Sequence, residues 1–238
     1  MKLFKIIVLY VFTLGFAWAQ SPGAESPVLR FRAVSCLGAN PVDLYYKPKE
    51  GQYTLITTIP ERRSTAFDIY YSTDEIGVFR KGTDPKTKKD VFNQVGRVDI
   101  RGKGHMPLLL FLTDSTTPLG FNIRVMKDDA DSIPPEYYHF VNLTSRPLLV
   151  SLNKVPNTVP AGEGLICPPP VKNENANIAV GVMHDGNAKL LYSNIWGRNN
   201  QTRTLVLMYI SPAPESVFKT IRIIDYPDKW KPEPPPKR

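Results

Sequence analysis

Two stretches of this chain repeat one another's pattern, and that repetition narrows the possible folds more than any other feature. Leu108-Leu-Leu-Phe-Leu112 leads to Phe121 and Ile123-Arg124-Val125, while Leu205-Val-Leu-Met-Tyr209 leads to Phe218 and Ile221-Arg222-Ile223. The first Leu and the Phe are equally far apart in both, and a single inserted residue aligns the two arginines. Upstream, Leu29 to Val34 leading to Pro41-Val42-Asp-Leu44 has its counterpart in Tyr138 to Leu143 leading to Pro147-Leu148-Leu-Val150. Ala66 to Ile69 matches Gly164 to Cys167, and Gly96 to Ile100 matches Tyr192 to Trp196. A repeat of about 100 residues is too long for a solenoid unit and suits an independent sandwich.

Within each copy, short runs rich in Val, Ile, Thr, Tyr and Phe are separated by turn residues at intervals of about 8–15, and no Ala-Leu-Glu-Lys helical block occurs. Strands are expected at 28–35, 42–47, 53–59, 65–71, 76–81, 91–100, 107–113 and 121–127, and again at 138–144, 147–152, 155–159, 163–167, 177–184, 188–196, 204–210 and 218–225. The expected fold is all-β, two tandem immunoglobulin-like β-sandwich domains related by internal duplication. Leu108 to Leu112 does not alternate in polarity, which predicts a strand buried on both faces at a domain–domain contact. Lys81 to Asp90 reads as a charged hairpin turn, and His184-Asp185-Gly186-Asn187 takes its place in the second copy.

The N-terminus sets the compartment. Lys2 and Lys5 precede an apolar run from Ile6 to Phe16, and Ala17-Trp18-Ala19 supplies a small-x-small cleavage pattern. The run is too short for the roughly 20 residues that span a bilayer, so no stable membrane insertion is expected after cleavage. The chain therefore divides into a signal peptide (1–19), a linker (20–27), a first domain (28–127), a linker (128–136), a second domain (137–228) and a Pro-rich tail (229–238). The destination is periplasmic or extracellular. The formal net charge of +8 includes the two signal lysines and suits either simple solubility or contact with anionic envelope polymers. No nucleic-acid motif is present.

Phe31-Arg-Ala-Val34 followed by Pro41-Val-Asp-Leu-Tyr-Tyr46 resembles the opening of a family of small secreted bacterial β-sandwich domains. There a strand reading roughly R-F-V-N/H leads to P-x-V-D-V-Y. Phe140-Val-Asn142 with Pro147-Leu148 is similar in a weaker form. Members of that family are commonly duplicated and their function is not established, so the resemblance implies a fold and a bacterial exported compartment and no functional residue.

Chemistry-bearing residues are sparse. Only three histidines exist, His105, His139 and His184, and no G-x-S-x-G elbow accompanies them. Asp128, Asp129 and Asp131 lack the order of a calcium loop and read as a solvated acidic linker. Neither catalytic residues, a cofactor nor a metal site is expected. Cys36 and Cys167 sit at non-equivalent places in an oxidising route. They form either a bridge between the halves, worth about 4–5 kcal/mol in the chain-entropy model, or two buried thiols. Two Asn-x-Thr sequons, at Asn142 and Asn200, read as chance in a bacterial protein.

The vicinal pairs Tyr45-Tyr46, Tyr70-Tyr71 and Tyr137-Tyr138 must each turn one ring away from the core. Tyr46, Tyr71, Tyr137 and Trp196 are the candidate binding aromatics, suited to sugar or protein contacts. The expected function is a non-enzymatic binding or structural module of the cell envelope, with a protein or polysaccharide partner. The alternatives are a hydrolase or metal-dependent enzyme with an interdomain site, and an assembly or chaperone-like factor that binds extended peptides at a sheet edge.

Overall fold

Among the described residues sixteen strands form, in apolar runs bounded by Gly, Pro, Asn and Asp. The computed structural model describes residues 25–170, 174–197, 200–210, 217–229 and 231. The expected signal peptide, Trp230 and the tail beyond residue 231 lie outside them. In the first half the strands are β1 (Leu29–Cys36), β2 (Leu44–Tyr46), β3 (Thr54–Leu55), β4 (Phe67–Ile69), β5 (Glu75–Thr83), β6 (Asp90–Asp99), β7 (Pro107–Thr113) and β8 (Phe121–Lys127). The second half holds β9 (Tyr138–Asn142), β10 (Leu148–Leu152), β11 (Val155–Val159), β12 (Gly164–Cys167), β13 (Ala176–His184), β14 (Asn187–Trp196), β15 (Arg203–Ile210) and β16 (Phe218–Asp225). Among the described residues no helix forms. Every expected strand is present, and the main loss is the run 53–59, which keeps only the two residues of β3.

The strands make four sheets in two pairs, ordered β4-β1-β7-β8 with β3-β2-β5-β6, and β12-β9-β15-β16 with β11-β10-β13-β14. Adding eight to each strand number of the first pair reproduces the second. In both pairs the first strand runs parallel to the seventh, β1 to β7 and β9 to β15. A bulge falls at one place in each long hairpin. The register slips between Val78 and Phe79 in β5–β6, and between Val180 and Gly181 in β13–β14. The extra residues are Val95 and Leu191, and both rest against their own cores.

Three apolar layers hold the sheets together. Phe31, Leu44, Tyr46, Val78 and Phe111 join the two sheets of the first half. Tyr138, Phe140, Val150, Val180, Trp196 and Val206 do the same in the second. The third layer is the seam between halves, where Val34, Cys36, Leu108 and Leu110 meet Val141, Leu205, Leu207, Ile221 and Ile223. The result is a stack of four sheets with β4-β1-β7-β8 and β12-β9-β15-β16 inside. Leu108, Leu110 on one face of β7 and Leu109, Phe111 on the other are fully buried, which is why that strand does not alternate. The sheets β3-β2-β5-β6 and β11-β10-β13-β14 form the opposite ends of the stack.

The pairing corrects one detail of the repeat. β15 and β16 pair without irregularity, so no residue is inserted before Arg222. Arg124 stands opposite Leu110 and Arg222 opposite Val206, and they reach in different directions. Arg124 donates to the Gly162 carbonyl across the seam, while Arg222 lies 4.6 Å from the centre of the Trp196 ring.

Candidate functional site

The seam between the halves holds the most unusual polar chemistry in the molecule. Arg63 enters from the loop before β4 and donates twice to Asp128, Nε to Oδ2 at 2.9 Å and Nη2 to Oδ1 at 2.8 Å. Arg203, the first residue of β15, donates to the same carboxylate at 3.0 Å and to the Asp128 carbonyl at 2.7 Å. Arg32 on β1 donates to Asp225 at 2.7 Å and to Asp228 at 3.2 Å. Arg203 and Asp128 are shut off from solvent. Such a burial is tolerated only because each charge finds its counterpart. The acidic linker is therefore not simply solvated: Asp128 is the centre of an ion cluster, and Asp129 accepts from the backbone and hydroxyl of Ser132.

His139 on β9 lies near this cluster, its Nδ1 without a partner among the described residues. Burial first, and then the charges of Arg63, Arg124 and Arg203, push its pKa down to about 4 against the opposing pull of Asp128. It is a neutral imidazole at physiological pH. The other two histidines sit elsewhere. His184 is exposed in the β13–β14 turn, 2.9 Å from Asp185, and His105 lines a cleft of about 310 Å³ with Asp129, Asp131 and Asp228. Among the described residues no group of three or more His, Cys, Asp or Glu is arranged to hold a metal ion.

Two of the four candidate binding aromatics are core residues. Tyr46 is buried beside Phe31 and Phe67 and donates its hydroxyl to the Asp68 carbonyl. Trp196 is buried between Tyr138 and the Arg222 guanidinium. The ring of the first pair that turns outward is Tyr45, because Leu44 and Tyr46 occupy the inward positions of β2. Tyr71 is exposed, but its hydroxyl donates to the Lys47 carbonyl. Tyr137 is half-buried, and its carbonyl accepts from Thr204.

The cysteines do not form the possible bridge. Cys36 and Cys167 are buried free thiols in different apolar clusters. Burial, with the Glu61 carboxylate adding, pushes the Cys36 thiol up to about 12, so it stays protonated and unreactive at neutral pH. The Asn142 amide is fully buried and donates to the carbonyls of Arg146, Val159 and Pro160. In the folded chain this side chain is inaccessible from solvent.

The exposed aromatic chemistry sits instead on the outer face of β3-β2-β5-β6. Tyr53 and Phe92 stack at 4.0 Å with their planes 5° apart. Tyr45 meets Phe92 edge-on at 5.1 Å, and Phe79 meets Tyr53 at 5.0 Å. All four rings are half-buried. Along one row Leu55, Tyr45, Phe79 and Gln94 pair across all four strands, a span of about 14 Å at the usual strand spacing. The Phe79 ring lies over Gly77, where a Cβ would come within 2.8 Å of it. Glycine at that position lets the ring lie flat across the sheet.

No known family and no curated protein matches this chain. The site must therefore be read from its own geometry. His139 is buried and neutral, and the charges of the ion cluster pair with one another, while Arg32 Nε, Arg63 Nη1 and Arg203 Nε have no hydrogen-bond partner among the described residues.

Proposed function

We propose that the chain is an exported, non-enzymatic binding module of the bacterial envelope whose aromatic sheet face takes a polysaccharide. In this reading it comprises two immunoglobulin-like sandwiches derived from one by duplication. The repeated strand order and the matched bulges at Val95 and Leu191 support the duplication. The small-x-small pattern after an apolar run supports export. The apolar seam and the arginine–aspartate cluster join the two halves, so the outer faces are presented in a set relation.

The observation that carries the reading is the group Tyr45, Tyr53, Phe79 and Phe92, packed on one another and half-exposed on one sheet face. Aromatic rings held on a rigid sheet lose little conformational freedom on binding, and their faces suit the apolar faces of sugar rings. A glycan array probed with the mature chain tests it. Retention of one class of polysaccharide, lost in a Tyr45→Ala/Phe79→Ala double variant that melts normally, is the expected result. Turnover of the retained polysaccharide would replace the non-enzymatic reading.

A further inference from the structure

We infer that the aromatic face takes an acidic polysaccharide, one bearing carboxylate or sulfate groups, with the β5–β6 hairpin supplying the charge contacts. The inference rests on the reading of that face as a glycan surface. Lys86, Lys88 and Lys89 stand exposed at the hairpin tip, and none of them forms an ion pair among the described residues. The nearby acids are already engaged. Asp90 pairs with Lys81 at 2.7 Å, and the Asp84 carboxylate accepts from the backbone of Lys86 and Thr87 at 2.7 and 3.1 Å. Two further backbone bonds, Asp84 to Lys89 and Lys88 to Asp84, both 2.9 Å, close the loop. Three unpaired ammonium groups thus stand on an ordered tip whose two carboxylates are bound by backbone amides and by Lys81.

The tip is continuous with the rings. Lys81 stands opposite Phe92, which stacks on Tyr53. Lys89 lies three residues before Phe92, roughly 10 Å along an extended strand. A chain that crosses the rings and then follows β6 past Phe92 toward the hairpin tip meets the lysines next. Sugar rings would stack on the aromatics while their acid groups reach the ammonium groups. The other outer face offers neither part: its hairpin is the tight Asp185-Gly186 turn, and no Tyr, Phe or Trp stands in the corresponding row.

The test compares a polyuronate with a neutral glucan of similar length, binding the mature protein by calorimetry at low and high salt. The polyuronate is expected to bind at least roughly ten-fold more tightly than the glucan, with the advantage lost in high salt. A Lys86→Gln/Lys88→Gln/Lys89→Gln variant should lose that advantage and keep the weaker glucan affinity, while Phe92→Ala should weaken both. Equal affinity for the two polymers, or a triple variant that binds the polyuronate as wild type does, overturns the acidic-ligand inference and leaves the glycan reading standing. Binding of neither polymer removes both. Polyuronate binding that Phe92→Ala leaves unchanged also overturns the inference, because the rings would then take no part. Thermal melts of each variant confirm that the fold is intact.

Discussion

The two outer sheet faces occupy matching places in the stack and have opposite character. Position by position, Tyr45 answers to Leu149, Phe79 to Gly181, Lys81 to Met183, Phe92 to Ala188 and Gln94 to Leu190, following the pairing from the shared bulge. The first face is a raised layer of stacked rings. The second is a shallow apolar depression of about 290 Å³ lined by Leu149, Ala179, Gly181, Ala188 and Leu190. The inner sheets differ far less, since both place apolar residues on both faces of the central strands β7 and β15. Packing on two sides restricts what an inner strand can become, whereas a free face can change its side chains at little cost to stability.

The largest effect should come from the part the halves share. Asp128→Ala leaves the buried Arg63 and Arg203 with Asp225 alone as counter-charge, 3.6 Å from each, and breaking a buried pair costs about 3–5 kcal/mol. Because Asp128 joins a loop of the first half to β15 of the second, urea unfolding should remain one transition shifted to lower denaturant. If instead a second transition appears, with one half keeping its wild-type midpoint, the halves are energetically independent and the seam is not what unites them.

Acid should act on the same seam. The ordinary histidine value is about 6.5, and His139 in the folded chain sits at about 4. Between those values the unfolded chain takes up a proton that the folded one refuses. The stability from this group is therefore complete above about pH 6.5 and is lost as pH falls toward 4, by up to about 3 kcal/mol. His139→Gln cannot protonate, so its urea midpoint should fall less between pH 7 and pH 4.5 than that of wild type. Parallel curves would show that His139 does not titrate in this way.

These particulars show what could be read from the residues and what could not. The strands were legible because their turns carry Gly, Pro and Asp, and the double burial of β7 followed from five consecutive apolar residues, Leu108 to Leu112. The ion cluster was not. Its paired members are 65 to 196 residues apart, and an arginine destined for burial looks like any other in a string of letters. The aromatic face was missed for a more local reason. Counting alternately back from the buried Val98 would turn Phe92 inward, but the bulge at Val95 reverses the phase and turns it out. Vicinal tyrosines carry no alternation at all, so the pair by itself does not separate the outward Tyr45 from the buried Tyr46. The neighbouring Leu44, one full period from Tyr46, was the signal that could have separated them.

A smaller effect sharpens the contrast between the faces. Gly181 is not merely a missing ring, because a Cβ there would lie 2.7 Å from the Lys189 carbonyl oxygen. That atom is backbone and cannot swing aside. Gly181→Ala should therefore destabilise by about 1–3 kcal/mol. Gly77→Ala meets only the far edge of the Phe79 ring and should cost less. If denaturation midpoints showed the reverse order, the second face would be free to accept larger residues, and its depression would not be imposed by the bulge.

The smallest change in stability is expected where the proposed binding effect is largest. Phe79→Ala removes one edge-on contact with Tyr53, and such ring pairs contribute about 0.5–1.5 kcal/mol. The core beneath, built on Val78, Ile76 and Leu44, stays sealed. The variant should melt within a few degrees of wild type while its face comes to resemble the depression around Gly181. Loss of polysaccharide affinity from that variant, without loss of fold, would locate function in the layer of rings. If affinity survived in Phe79→Ala and fell instead in Leu190→Lys, the binding surface would belong to the second half, and the rings of the first would be packing alone.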